Sequence, residues 1–266
     1  MILPDTQKSW IGKAHLIGQD VTTTPYHPPG ASPSSAPWIL VNSTPATCAQ
    51  LGIHHAFTDK PPIDLVLSGP NYGRNTTALF ALSSGTLGAA LEAAVCGHKA
   101  IAVSFAFFTK INDDAITAQS CRHAVKVIEY LAKNGQWDHG RVFSVNVPVV
   151  DGVEAKPTVW TKMLQNSWGG SGCFETMSGG AKDARVEEEK IREGEVGVEA
   201  SKGKSAAGTD GVRHFKWAPA VKSVFDSVLK AGPGSDGWAV KEGETSITAL
   251  RANFMHIEGY SGEVKL

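Results

Sequence analysis

Between residues 38 and 147 the chain alternates short apolar runs with helix-period segments, and this alternation restricts the fold more than any other feature. Residues 38–41 (WILV) form one such run, and Pro45 then stands at a first helical position, opening a helical stretch to about Phe57. Residues 62–67 (PIDLVL) predict a strand that ends in a Gly/Asn-rich loop. Residues 84–96 predict a helix: Leu87, Leu91 and Val95 recur every four positions, and Gly97 stands at the C-terminal stop. Residues 99–107 and 141–147 predict two further strands, separated by a helix over 115–133 that Asp113 and Asp114 precede. This order predicts an α/β fold, with a mostly parallel sheet and helices on both faces.

Past residue 148 the pattern weakens. Residues 178–212 are rich in Gly, Glu, Lys and Ala with few large apolar groups, and are read as a disordered insertion. Regular structure is expected to resume at 214–217, followed by a helix over 219–230 and a terminal strand near 244–250. The first forty residues suggest loops or a hairpin rather than another βαβ unit.

Charge narrows the partners. Lys+Arg at 25 against Asp+Glu at 26 leave a formal charge of -1, so no global basic field attracts a nucleic-acid polymer, and any phosphate binding must come from local geometry. No run approaches the roughly 18 apolar residues of a membrane span, and the first residues do not form a signal peptide. Cys48, Cys96, Cys121 and Cys173 are far apart and lack metal-finger spacing; they read as reduced packing residues of an intracellular, cytoplasmic protein.

The segment with chemistry is Ser68-Gly69-Pro70-Asn71-Tyr72-Gly73-Arg74-Asn75, then Ser83-Ser84-Gly85-Thr86, between a buried strand and a helix. Ligands of open α/β sheets bind outside the carboxyl ends of the strands, where such loops gather. Gly69 and Gly73 allow sharp turns. Asn71 offers a carbonyl oxygen, a hard ligand suited to Mg²⁺ or Mn²⁺. Ser84 caps the following helix, whose free N–H groups and positive dipole end make an anion site. The plainer reading is an ordinary Gly/Asn loop and an ordinary cap. Arg74 either pairs with phosphate or faces solvent, and the sequence favours solvent. His15, His27, His54, His55 and His123 show no metal spacing. Trp160 and Trp168 lie in a Gly-rich stretch that covers either the site or a subunit contact.

These residues resemble the SurE (survival protein E) phosphatase/nucleotidase family, whose signature is an S-G-x-N-x-G-x-N loop, then S-G-T opening a small-residue helix that carries a Glu. Ser84 lies thirteen positions after Asn71, and Glu92 fills the helix position. LPDTQKSW, STPATC, SVNVP and SDGWAVKEGETSITAL match further family segments in order, and KSWIGKAH and WAPAV look most like the fungal branch, some of whose members carry a tubulin-tyrosine-ligase-like domain. The resemblance implies a Rossmann-like, mostly parallel sheet with a C-terminal β extension used in oligomerisation, as a homodimer or homotetramer. It divides the chain into an N-terminally truncated core over 1–177, the insertion 178–212 and a C-terminal part over 213–266. It implies a divalent-metal-dependent phosphomonoesterase acting on nucleoside monophosphates. Ser9 and Asn71 fall on metal-ligand positions, and Asn75, Ser84, Gly85 and Thr86 on the phosphate pocket.

The match breaks at the family's two adjacent aspartates, which follow its first strand. The pair Asp113-Asp114 reads as a helix cap, so the catalytic residues are left unassigned. Residues 1–3 (MIL) resemble the end of a strand cut from its beginning, and the expectation is a truncated start. Ser9 and Asn71 alone are neutral oxygens and hold a hard dication poorly, which implies little or no activity for the chain as it stands. Loss of a central strand also implies two unpaired strand edges. The alternatives are a non-catalytic phosphate-binding or scaffold relative, and a dinucleotide enzyme; the second lacks a G-x-G-x-x-G after a strand.

Overall fold

The structure, a computed structural model, describes residues 1–32, 34–107, 113–169, 172–176, 214–254, 258 and 263. The expected insertion over 178–212 lies outside the described residues. Three strands, β1 (Ile2–Pro4), β2 (Thr23–Tyr26) and β3 (Trp38–Val41), make a small sheet in the order β1-β3-β2, with β1 parallel and β2 antiparallel to β3. Of the two readings open for the first forty residues, loops or a hairpin, the antiparallel β2–β3 pair is a hairpin.

The central sheet has five strands: β4 (Val66–Tyr72), β5 (Ala100–Ala106), β6 (Arg141–Pro148), β7 (Thr158–Trp160) and β10 (Thr245–Arg251). Their order is β4-β5-β6-β10-β7, and only the β6–β10 pair is antiparallel. The sheet is therefore mostly parallel, as the sequence implies. Outside it, β8 (Phe174–Thr176) and β9 (Phe215–Trp217) form a two-stranded antiparallel pair.

Strand β5 shows why the sheet is covered on both sides, since all seven of its residues are buried. Ile101, Val103 and Phe105 pack with Val127 and Leu131 of helix α4 (Asp114–Asn134), which Asp113 caps as expected. The alternate residues Ala100 and Ala102 pack with Ala90, Ala93 and Ala94 of helix α3 (Gly85–Val95). Large side chains hold α4 off the sheet, and alanines on both surfaces let α3 approach closely. Helix α1 (Pro45–Leu51) packs on α3 and on β1, and a π-helical turn over Gly52–Ala56 continues it, in place of the single helix expected to Phe57. The remaining helices are α2 (Ala78–Ser83), α5 (Val221–Lys230) and α6 (Asp236–Lys241).

One sequence expectation shifts. Strand β4 does not end at Leu67; it runs on to Tyr72, so that residues 68–71 belong to the strand, with a slip of register between Ser68 and Asn71. Pro70 lacks an N–H for the ladder, and Gly69 has φ 112°, so the strand continues in an irregular form that looks like a loop in sequence. Among the described residues, β1 and β4 each pair on one side only, and Leu67 and Tyr72 of β4 are 46% and 42% exposed. No helix among the described residues is long and apolar enough to cross a membrane.

Candidate active site

Because β4 and β5 are parallel, the N-terminus of α3 lies at the carboxyl end of the sheet. Ser84 adopts the extended conformation of an N-cap, and its Oγ accepts from the Leu87 N–H at 3.1 Å. Its carbonyl accepts from Gly88 N at 2.8 Å. The N–H groups of Gly85 and Thr86, in the first turn, have no acceptor within the helix and point off its positive end. Three of the predicted phosphate residues thus stand together on one turn.

The loop after β1 crosses this turn. Gly12 N donates to the Ser83 carbonyl at 2.9 Å, and a Cβ placed on Gly85 would meet Ile11, Pro45 and the Lys8 carbonyl. A methyl on Gly88 would overlap the Gly12 carbonyl oxygen, so the loop and α3 touch backbone to backbone. Ser9 is thereby carried beside Gly85, with its Oγ accepting from Gln7 Nε2 at 2.8 Å. The next residue, Trp10, has φ 61°, unusual for a bulky side chain. Its ring packs against Phe80, Trp168 and Trp217 at centroid distances of 5.6, 5.9 and 5.4 Å. Trp168 therefore joins the Ser9 loop, whereas Trp160 packs on Phe143 at 5.7 Å.

The other two candidate residues, Asn71 and Asn75, lie at the end of β4 and in the loop that follows it. Asn71 lies opposite Ser104, and its Nδ2 donates to the Gly73 carbonyl at 3.0 Å, which directs Oδ1 away from that turn. Asn75 is buried: its backbone N–H donates to Asn146 Oδ1 at 2.9 Å and its Nδ2 to Ser104 Oγ at 2.7 Å. These bonds tie the loop after β4 to β5 and β6. Arg74, which the sequence favoured as solvent-facing, is half-buried with its guanidinium 4.0 Å from the ring centroid of Phe225 on α5.

Two groups without an assigned role in the sequence hold this loop. Asn146 lies in the SVNVP segment already noted, so the signal was there but not its partner. Asp236, at the start of α6, is 1% exposed and accepts from Thr77 N and Leu164 N, both at 2.9 Å, and from Gly237 N at 2.7 Å. Burial pushes its carboxyl above the ordinary range, against the pull of these donors. Thr77, with φ 70°, is held at the turn into α2 by this bond.

The donor set tests the implied metal. Ser9 and Asn71 offer two neutral oxygens, and no group of three or more His, Cys, Asp and Glu among the described residues could hold a metal ion. Mg²⁺ and Mn²⁺ take carboxylates for tight binding, so the described residues do not by themselves fit a divalent cation.

Known proteins resemble this chain in sequence and in fold. The family model described as Survival protein SurE matches residues 1–170. A protein of Ruegeria pomeroyi named 5'-nucleotidase SurE is 43% identical over 122 residues, 42% of this chain and 44% of that protein. A Saccharomyces cerevisiae protein named Probable tubulin--tyrosine ligase PBY1 is 30% identical over 305 residues, covering 99% of this chain and 38% of its own length. The chain thus spans less than half the length of either relative. The crystal structure of the SurE protein from Aquifex aeolicus superposes with a TM-score of 0.61 at 21% identity, covering 96% of this chain and 82% of that one, a likeness of fold. With the family model covering more than half of the residues, including the turn at Ser84 and the loops over it, the chain belongs to the survival protein SurE family.

Proposed function

We propose that the chain carries the phosphate-binding part of a phosphomonoesterase site for nucleoside monophosphates, of the 5'/3'-nucleotidase kind. The observation that supports it is the first turn of α3, with the N–H groups of Gly85 and Thr86 open beneath the Ser9 loop. Those two donors, the Thr86 hydroxyl and the helix dipole would take the non-bridging phosphate oxygens and stabilise the charge that grows there during transfer to water. The names of the bacterial relatives agree with such a substrate. A divalent cation, Mg²⁺ or Mn²⁺, belongs to this reading only with carboxylates from beyond the described residues; Ser9 and Asn71 would then add neutral oxygens. A homodimer or homotetramer is part of the proposal, to be read by sedimentation, and a monomer at all concentrations would count against it.

The neutral donor set also favours a second reading, in which these 266 residues bind phosphate without turning it over. Titration calorimetry with AMP, inorganic phosphate and adenosine, alongside an assay of phosphate release from AMP in Mn²⁺, separates the possibilities. AMP and phosphate should bind, adenosine should not, and release should be close to background. Turnover at an ordinary enzymatic rate of about 1 s⁻¹ or more would overturn the donor-set argument. Failure of both AMP and phosphate to bind would sink the nucleotidase reading.

A further inference from the structure

Glu92 lies two turns inside α3, where nearly every neighbouring side chain is a methyl group, and it is 4% exposed. A carboxylate in such a place requires partners. They come from two other segments. Gln50 of α1 donates from Nε2 to Glu92 Oε1 at 2.5 Å. The Lys13 ammonium makes an ion pair with Oε2, and His15 Nε2 lies 3.5 Å from the same oxygen. Lys13 and His15 both belong to the loop that carries Ser9.

The same loop is held at further points nearby. His15 Nδ1 is 3.0 Å from Thr47 Oγ1, Thr44 Oγ1 donates to the Ala14 carbonyl at 2.6 Å, and Gly12 is fixed to Ser83. Near Ser9 the loop rests on α3 through backbone contacts that only glycine permits; four residues further on it is held by charge. Ser9 has no bond of its own to α3 among those described, so its place over Gly85 depends on these two anchors. We propose that Glu92 is a positioning residue, which seats the Ser9 loop on the N-terminal turn of α3 and so completes the cradle for a phosphate group.

This inference rests on the phosphate-site reading, and the experiment separates the two. Amide hydrogen exchange of residues 10–12 reports the seat without any ligand, and titration with inorganic phosphate reports its consequence. Glu92→Gln and Lys13→Met should each accelerate exchange at residues 10–12 about tenfold and weaken phosphate about tenfold. Leu87 and the amides of β5 should keep their protection in Glu92→Gln, whose neutral amide needs no cation, whereas Lys13→Met leaves the carboxylate buried without its ammonium and should also lower the unfolding midpoint. The double variant should be no worse than either single one, and Lys13→Arg should retain the wild-type behaviour. Unchanged exchange at residues 10–12 would overturn the proposal, as would uniform acceleration across the chain, which is the mark of a general loss of stability. Phosphate affinity left intact in a variant whose loop is loosened would overturn it too. A wild-type chain that binds no phosphate, with the exchange differences still present, would uphold the seat and refute the phosphate reading instead.

Discussion

Gly88 and Glu92, one turn apart on α3, fix the Ser9 loop in different ways. At Gly88 the constraint is volume. Gly88→Ala puts a methyl into the Gly12 carbonyl and must lift the loop, so phosphate affinity should fall about tenfold or more, with a stability cost of roughly 1–3 kcal/mol. Calorimetry and denaturant unfolding read these together, and unchanged affinity in the Gly88→Ala variant contradicts the contact. At Glu92 the constraint is charge, and pH reads it. Burial pushes this carboxyl up, but Lys13, Gln50 and His15 more than reverse the effect and leave it below its ordinary value of 4.5. A depressed carboxylate stabilises the fold fully above the unfolded value and loses that contribution as pH falls through the folded one. Protection of residues 10–12 should therefore hold at about pH 5 and above and decline only below about pH 4.5. Among the described residues, Cys96 joins Lys13 and His15 as a titratable group near this carboxylate, and its thiol is raised by burial and by Glu92, so it stays uncharged in that range.

Among the elements, α6 has an influence out of proportion to its six residues. Asp236 joins it to the turn at Thr77 and to the segment at Leu164, and α2 is held further by Ala78 N to the Leu164 carbonyl and Leu79 N to Asn166 Oδ1. Asp236→Ala would strip acceptors from three backbone N–H groups, at about 1–3 kcal/mol for each that stays buried and unpaired. After relaxation a loss of roughly 3–5 kcal/mol is expected, read from the denaturant midpoint, with Asp236→Asn in between. A loss below about 1 kcal/mol would mean that water replaces the carboxylate. None of this was legible in the sequence, because Asp236 and Thr77 are 159 positions apart and neither has a local pattern that names the other. The cap at Ser84 was legible because capping is decided within about four residues. The end of strand β4 is hidden in the sequence because Gly69 and Pro70 carry the local chemistry of a turn, and only the pairing of Ser68 and Asn71 with β5 on either side carries the strand through them.

Over the whole molecule, the α/β class and the two-sided sheet followed from periodicity, since strands and helices there are long enough to show their spacing. The small sheet β1-β3-β2 and the single-sided pairing of β1 and β4 depend on contacts between distant segments, and periodicity does not encode them. The placement of Ser9 has the same origin: it reaches Gly85 only because the loop folds back over α3. Of the candidate residues, Ser84, Gly85 and Thr86 could be placed by local rules, Asn71 by its position at a strand end, and Asn75 only after Asn146 and Ser104 were seen around it. In the proposed function, this folding-back builds an anion cradle at one helix end. Its most direct test is a ¹H–¹⁵N titration of the chain with inorganic phosphate, followed by AMP. The account predicts the largest and saturable shifts at the amides of Gly85 and Thr86, with smaller ones at Ser9 and Asn71. Shifts centred elsewhere, or none at Gly85 and Thr86 when phosphate is in large excess, would contradict it.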